Sequence, residues 1–339
     1  MQTTRVLHET RSNRLAILNA RDARLKVAVV VTTLQLLGQI GLSFKVSITQ
    51  ILVPIAICGA ADALYSLRNR REIVWPASGV LAGNSVAFIL RAAGTRHGDW
   101  WTSHGIVWFV AAAAIAALSK YVVRADGRHV FNPSNLGIVV VLLAAGVTHA
   151  FPQYLWWGPP GWALVVAWIV IVIGALWVLP RLGMIGMVAA FLATFWIAIG
   201  ALAISGRGFF ARWADARITG IHYWTALCLS PEVLVFVCFM MSDPQTAPRR
   251  RRALYGASVG LVGAALCGLQ TTEFGVKLSI LAALTIVCAA MALERAKRTK
   301  VVFVATIVAL ASLVVRTARD PGVVNVEHPP GGSSGVASQ

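Results

Sequence analysis

A chain of 339 residues that is 58% hydrophobic, 13% charged and +0.72 in mean hydropathy is excluded from the soluble globular class. In that class about a quarter of the residues carry charge. The formal net charge of +17 leaves two partners to weigh, nucleic acid and the charged surface of a membrane.

Apolar runs of about 20 residues, the length that crosses a bilayer, recur along the whole chain. The expected fold is all-α: a polytopic helical membrane protein of about 11 spans, near 27–44, 46–66, 74–90, 102–119, 134–150, 161–179, 184–204, 224–241, 253–269, 276–293 and 301–315. Residues 1–26 form a basic, arginine-rich N-terminal segment with no cleavable signal peptide. It is suited to an amphipathic helix on an anionic leaflet. Residues 27–152 hold the first five spans and 153–294 the second five. Residues 295–316 add one span, and 317–339, with the Gly331-Gly332-Ser333-Ser334-Gly335 run, read as a disordered external tail.

With the N-terminus in the cytoplasm, 21 of the 30 Lys and Arg fall in cytoplasmic segments, Arg249–Arg252 among them. The positive-inside rule thus gives N-in and C-out. The positive charge is thereby explained by topology, and no nucleic-acid partner is expected. The five cysteines, Cys58, Cys228, Cys238, Cys267 and Cys288, form no CxxC pair and read as small apolar packing residues.

Three segments interrupt the apolar pattern. They are Trp75 to Ser85, which includes Pro76, Gly79, Gly83 and Asn84; Arg128 to Gly137, which includes His129, Asn132, Pro133 and Asn135; and Ser230-Pro231-Glu232, whose span runs on to Asp243-Pro244-Gln245-Thr246. Proline removes a backbone donor and breaks the helix before it. At membrane depth the freed groups need partners from side chains or a ligand. The plain alternative is that Asn132 and Asp243 cap helices at the surface. Glu232 stands some two turns inside a span, where a carboxylate requires a partner or a cavity. The order of the interruptions repeats between the halves. Five spans per half is an odd number, so the second copy is inverted across the membrane. That arrangement puts a site between the halves near mid-depth.

Residues Ser66 to Glu294 resemble the integral-membrane redox subunits of the RnfD and NqrB family, in particular its stand-alone RnfD-like branch of UnbU or "enediyne biosynthesis" proteins. The resemblance rests on Ser78-Gly79-Val80-Leu81-Ala82-Gly83, on His129 through Gly137 with its Asn-Pro-x-Asn core, and on Phe239 through Ala247 with its Asp-Pro-x-Thr core. It implies a urea- or ammonium-transporter-like inverted repeat, a bacterial inner membrane, flavin binding and electron transfer. The family's covalent FMN is joined to the Thr of a Ser-Gly-Ala-Thr motif. Here the loop from His149 to Pro160 lacks the acceptor, and Ser230-Pro231-Glu232-Val233 stands where relatives repeat that motif. Covalent FMN is therefore not expected.

The function that follows is membrane electron transfer with a non-covalent flavin, riboflavin or FMN, passing electrons to a protein partner or a quinone. The expected cofactor-binding residues are Asn84, His129, Asn132, Asn135, Glu232, Asp243 and Thr246. No metal ligand set is expected. Twelve tryptophans offer stacking surfaces, though an interfacial belt accounts for most of them. Two alternatives from other classes remain: a channel or transporter for a small polar solute or cation, and a membrane anchor for a neighbouring enzyme.

Overall fold

A computed structural model describes residues 23–71, 75–125, 127–154, 157 and 161–295. Most of the basic N-terminal segment, the eleventh expected span and the tail lie outside these residues. The described protein is mostly helical. In chain order its helices are α1 (Ala23–Gly41), α2 (Ile48–Arg70), α3 (Ala77–Ile89), α4 (Ile106–Val122), α5 (Pro133–Ala145), α6 (Trp162–Leu182), α7 (Ile185–Ile204), α8 (Gly220–Cys228), α9 (Pro231–Val235), α10 (Arg252–Cys267) and α11 (Glu273–Arg295).

Each of the first ten expected spans overlaps a helix, but among the described residues only six helical segments are long and apolar enough to cross a membrane. They are α1, α2, α6, α7, the composite Gly220–Met240 and α11. The differences are local and have physical reasons. α3 and α5 each stop after 13 residues, roughly 20 Å of rise. The chain continues as extended backbone, β1 (Leu90–Ala92) and β4 (Ala150–Pro152). These two pair antiparallel, Leu90 with Pro152 and Ala92 with Ala150, so each supplies the other's backbone partners where water is absent. The expected eighth span, the Gly220–Met240 segment, breaks at Ser230, whose Oγ accepts the Val233 amide at 3.5 Å while Pro231 opens α9. α9 then widens into a π-turn, Phe236–Met240.

The helices alternate in direction. α1, α3, α5, α7 and α10 start on one side, here the first side, and α2, α4, α6, α8 and α11 start on the second. Arg252 Nη1 donates to Leu182 O at 3.0 Å and Gly183 O at 2.9 Å, tying the end of α6 to the start of α10 on the first side. On the second side Phe210 N donates to Thr271 O at 2.8 Å.

The composite span is 78% buried and α11 83% buried, against 22% for α2 and 28% for α7. The first two therefore form the protein interior. The outer helices turn Leu36, Leu176, Ile197 and Ile204 outward, as a lipid-facing surface requires. α2 packs along α3 and α4, α7 along α10, α1 against α6, and α5 against α11. Gly79 and Gly83, one turn apart, allow the α2–α3 approach. A Cβ on Gly83 would sit 2.5 Å from Ile55 Cα, and one on Gly79 would come 2.8 Å from Asp62 Cβ.

Candidate functional site

A cavity of about 650 Å³ opens on the first side among the ends of α1, α2, α3 and α4, the start of α5, and the turn after the π-segment. Its wall follows α3 from Ser78 to Ile89, a rise of roughly 17 Å. That length exceeds half the thickness of a hydrocarbon core, which is about 30 Å. Val27, Leu81, Phe88, Val235, Phe236 and Phe239 make the sides apolar, and polar groups gather at the mouth and the floor.

At the mouth, Asp62 of α2 accepts from Lys120 Nζ at 2.7 Å, from the Tyr121 hydroxyl, and from Gly79 N at 2.9 Å. Lys120 also donates to Ser78 Oγ at 2.9 Å. One carboxylate thereby fastens α2, α3 and α4 where they meet. Opposite it, the turn after the π-segment is shaped by Asp243. Its Oδ1 accepts from Gln245 N at 2.9 Å and its carbonyl from Ala247 N at 2.9 Å. Asp243 Oδ2 stands 3.4 Å from His129 Nε2, joining this turn to the β2–β3 hairpin (Arg124–Ala125 with Arg128–His129).

Asn132 caps α5: its Oδ1 accepts from Asn135 N at 3.2 Å and from Ser134 Oγ at 2.9 Å. Its Nδ2 donates to Met240 O at 3.1 Å, at the end of the π-segment. This amide therefore ties the start of α5 to the end of the π-segment, beside the His129–Asp243 contact.

The floor is ionic. Glu232, at the start of α9, accepts from Ser230 Oγ at 2.7 Å and lies 2.9 Å from Lys277 Nζ of α11. Lys277 also lies 3.3 Å from Glu273, one turn earlier, and Glu273 Oε2 accepts the Arg212 amide at 3.2 Å on the second side. Gln153 and Trp157 complete the floor. Gln153 N is tied to Ile89 O at 2.8 Å, and the Trp157 ring packs edge-on against Phe44 and Phe88 at 5.5 Å each. Both side chains are almost wholly buried, yet Gln153 Nε2 and Trp157 Nε1 find no acceptor among the described residues.

Of the residues expected from sequence, His129, Asn132, Glu232 and Asp243 line this cavity. Asn84, Asn135 and Thr246 are not among its lining residues. Asn84 Nδ2 donates to Thr32 Oγ1 at 3.3 Å, between α3 and α1. Asn135 Nδ2 donates to Leu281 O and Thr285 Oγ1, both at 2.9 Å, which fastens α5 to α11. Thr246 closes its own turn through Asp243 O at 3.2 Å and lines only a separate hollow of about 20 Å³.

Asp62, Lys120, Gln153, Trp157 and Lys277 were not reached by motif. Lys277, at the edge of the expected span 276–293, is one of the nine Lys and Arg outside the cytoplasmic segments, and it stands buried in the second turn of α11. Its spacing of four from Glu273 was the available signal. Arg91, counted the same way, is buried in β1 with its guanidinium 4.4 Å from the centre of the Tyr154 ring. No family model matches this chain, and no curated protein matches it.

Proposed function

We propose that this chain is an RnfD-like electron-transfer protein of the bacterial inner membrane that holds a non-covalent flavin in the cavity opening on its first side. One observation carries the reading: a cavity of about 650 Å³, within the range of small-ligand sites, is lined by both motif segments of the resemblance and walled by aromatic and aliphatic side chains. His129 and Asn132 come from one segment, Asp243 and Gln245 from the other.

The residues fit such a group. Phe236 and Phe239 offer ring surface, and Gln153 Nε2 and Trp157 Nε1 are buried donors that lack acceptors. A bound flavin supplies one- and two-electron chemistry. The protein's part is to exclude water with the apolar walls and to offer hydrogen-bond donors, Gln153 Nε2 and Trp157 Nε1, at the floor, where they would orient a ligand's polar edge. The partner for the electrons is a quinone or a second membrane protein.

Within this reading the fold is an inverted repeat of two five-span halves with an eleventh span after it. Three features support it: α1 packs against α6, α5 against α11, and each half contains an interrupted third span. The N-terminus and the cavity mouth face the cytoplasm, on the strength of the basic residues gathered on that side.

A second reading, transport of a small cation or polar solute, is favoured by the floor. The Glu232–Lys277–Glu273 chain leads from the cavity towards the second side, the placement expected of ionisable residues along an ion pathway. The visible spectrum of freshly purified protein separates the two. Flavin absorption that passes into the small-molecule fraction on denaturation supports the first reading. Colourless protein overturns it in favour of transport or of an anchoring role, and colour that stays with the denatured chain contradicts non-covalent attachment.

A further inference from the structure

The cavity floor has more to bind with than the protein uses. Gln153 and Trp157 are 3% and 2% exposed, and they arrive from a chain segment pinned at depth by the β1–β4 pairing and the Gln153 N–Ile89 O bond. Both line the cavity, and each has a buried N–H without an acceptor. An indole N–H can only donate. A buried donor left unmatched is costly, so two beside one cavity call for an acceptor that the described residues do not supply. Lys277 adds a third donor group to the same floor, and Glu232, held by Ser230 and Lys277, brings a carboxylate, a group with about four acceptor positions. The walls above are apolar, so the ligand's body is apolar and its leading edge is polar.

We infer that the floor formed by Gln153, Trp157, Glu232 and Lys277 receives the carbonyl edge of a planar ring, inserted polar end first from the first side. A flavin presents such an edge in its imide, two carbonyl acceptors flanking an N–H donor. Donors from Gln153 and Trp157 then meet carbonyls, and a Glu232 oxygen accepts the N–H. A para-quinone presents one carbonyl at its leading edge and no N–H. The inference rests on the reading of this cavity as a ligand site, and a carbonyl acceptor meeting the floor donors is what the two rings share. The orientation has a consequence for selectivity. A ring with no carbonyl at its leading edge leaves both donors unmatched and is rejected, even where its size suits the walls.

The test is equilibrium dialysis of lumiflavin, N3-methyllumiflavin and menadione against the detergent-solubilised full chain. Wild type, Gln153→Leu and Trp157→Phe are compared, the last keeping an aromatic ring against Phe44 and Phe88. Lumiflavin affinity is expected to fall roughly tenfold in each variant, the loss of one well-made buried hydrogen bond. It is expected to fall at least as far on N3-methylation, which needs no change in the protein. Lumiflavin bound equally by all three proteins and unaffected by methylation overturns the floor inference while leaving the flavin reading intact. Menadione bound more weakly by the variants, with no lumiflavin binding, upholds the floor and overturns the flavin. Absence of binding by any probe overturns both. Should Gln153→Leu not fold, Trp157→Phe and the methylated probe still decide.

Discussion

Lys277 Nζ lies 2.9 Å from Glu232 Oε1, joining α11, the most buried of the six candidate membrane-crossing segments among the described residues, to the restart of the broken Gly220–Met240 segment. Two charges largely withdrawn from bulk water are tolerated because each is the other's solvent, with Ser230 on one flank and Glu273 on the other. The pair also closes the inner end of the cavity, so its integrity sets both stability and the chemistry of the floor.

Removing one member should therefore be severe. Lys277→Met leaves two carboxylates buried around an apolar side chain and is expected to destabilise by about 3–5 kcal/mol. Glu232→Gln should cost less, because an amide can still bond to Ser230 and Lys277 keeps Glu273. Thermal unfolding in detergent measures both. A Lys277→Met protein that melts with wild type means that the ammonium is not buried between carboxylates.

Asn135 belongs to helix packing. Its amide donates twice, to Leu281 O and Thr285 Oγ1, across the α5–α11 contact, and it stands outside the cavity lining. Asn135→Leu is expected to cost about 1–3 kcal/mol, with Leu281 O and the Thr285 hydroxyl left short of a donor. Ligand affinity per folded molecule should stay near wild type. A variant with unchanged melting and lost ligand would return Asn135 to the binding site.

The positions of the helices were legible because span length and apolar composition depend on local sequence alone. So was the polar character of the His129–Asn132 and Asp243 segments, since Pro and Asn at membrane depth need a reason. The roles of individual residues were less legible. Asn132 and Asn135 look alike in sequence, yet one faces the cavity and the other a neighbouring helix, a difference set by rotation about α5. Gln153 and Trp157 follow a break that hydropathy reads as a loop, whereas strand pairing carries that segment back inside. Lys277 falls at a predicted span edge, and only its burial against Glu232 tells it from a loop cation.

The glycine spacing on α3 predicts a steric phenotype. Gly83 packs on the α2 backbone at Pro54 and Ile55, where carbonyl and Cα atoms cannot yield as a side chain can. Gly83→Val is expected to push α3 off α2 and destabilise by about 1–3 kcal/mol or more. Gly98→Ala serves as the comparison for space alone, because a Cβ there meets nothing within 4 Å, though its φ of +95° makes the change mildly strained. If Gly83→Val costs no more than Gly98→Ala in a melting experiment, the α2–α3 approach is looser than the packing requires.

Orientation is open to a labelling experiment with little background, since all five cysteines are buried and free. Ser205, exposed after α7, lies on the second side, and Arg250, exposed before α10, lies on the first. The cluster Arg249–Arg252 is expected in the cytoplasm because cytoplasmic segments gather Lys and Arg. In right-side-out vesicles a membrane-impermeant maleimide should therefore label Ser205→Cys directly and Arg250→Cys only after permeabilisation. The cavity opens on the side of Arg250, so the same labels report which compartment its ligand comes from. The reversed pattern would place the mouth outside the cell and require the charge-based topology to be inverted. Labelling of both positions from one side would mean that α7 and α10 do not begin on a common side, and the alternation of helices on which the cavity depends would fall with it.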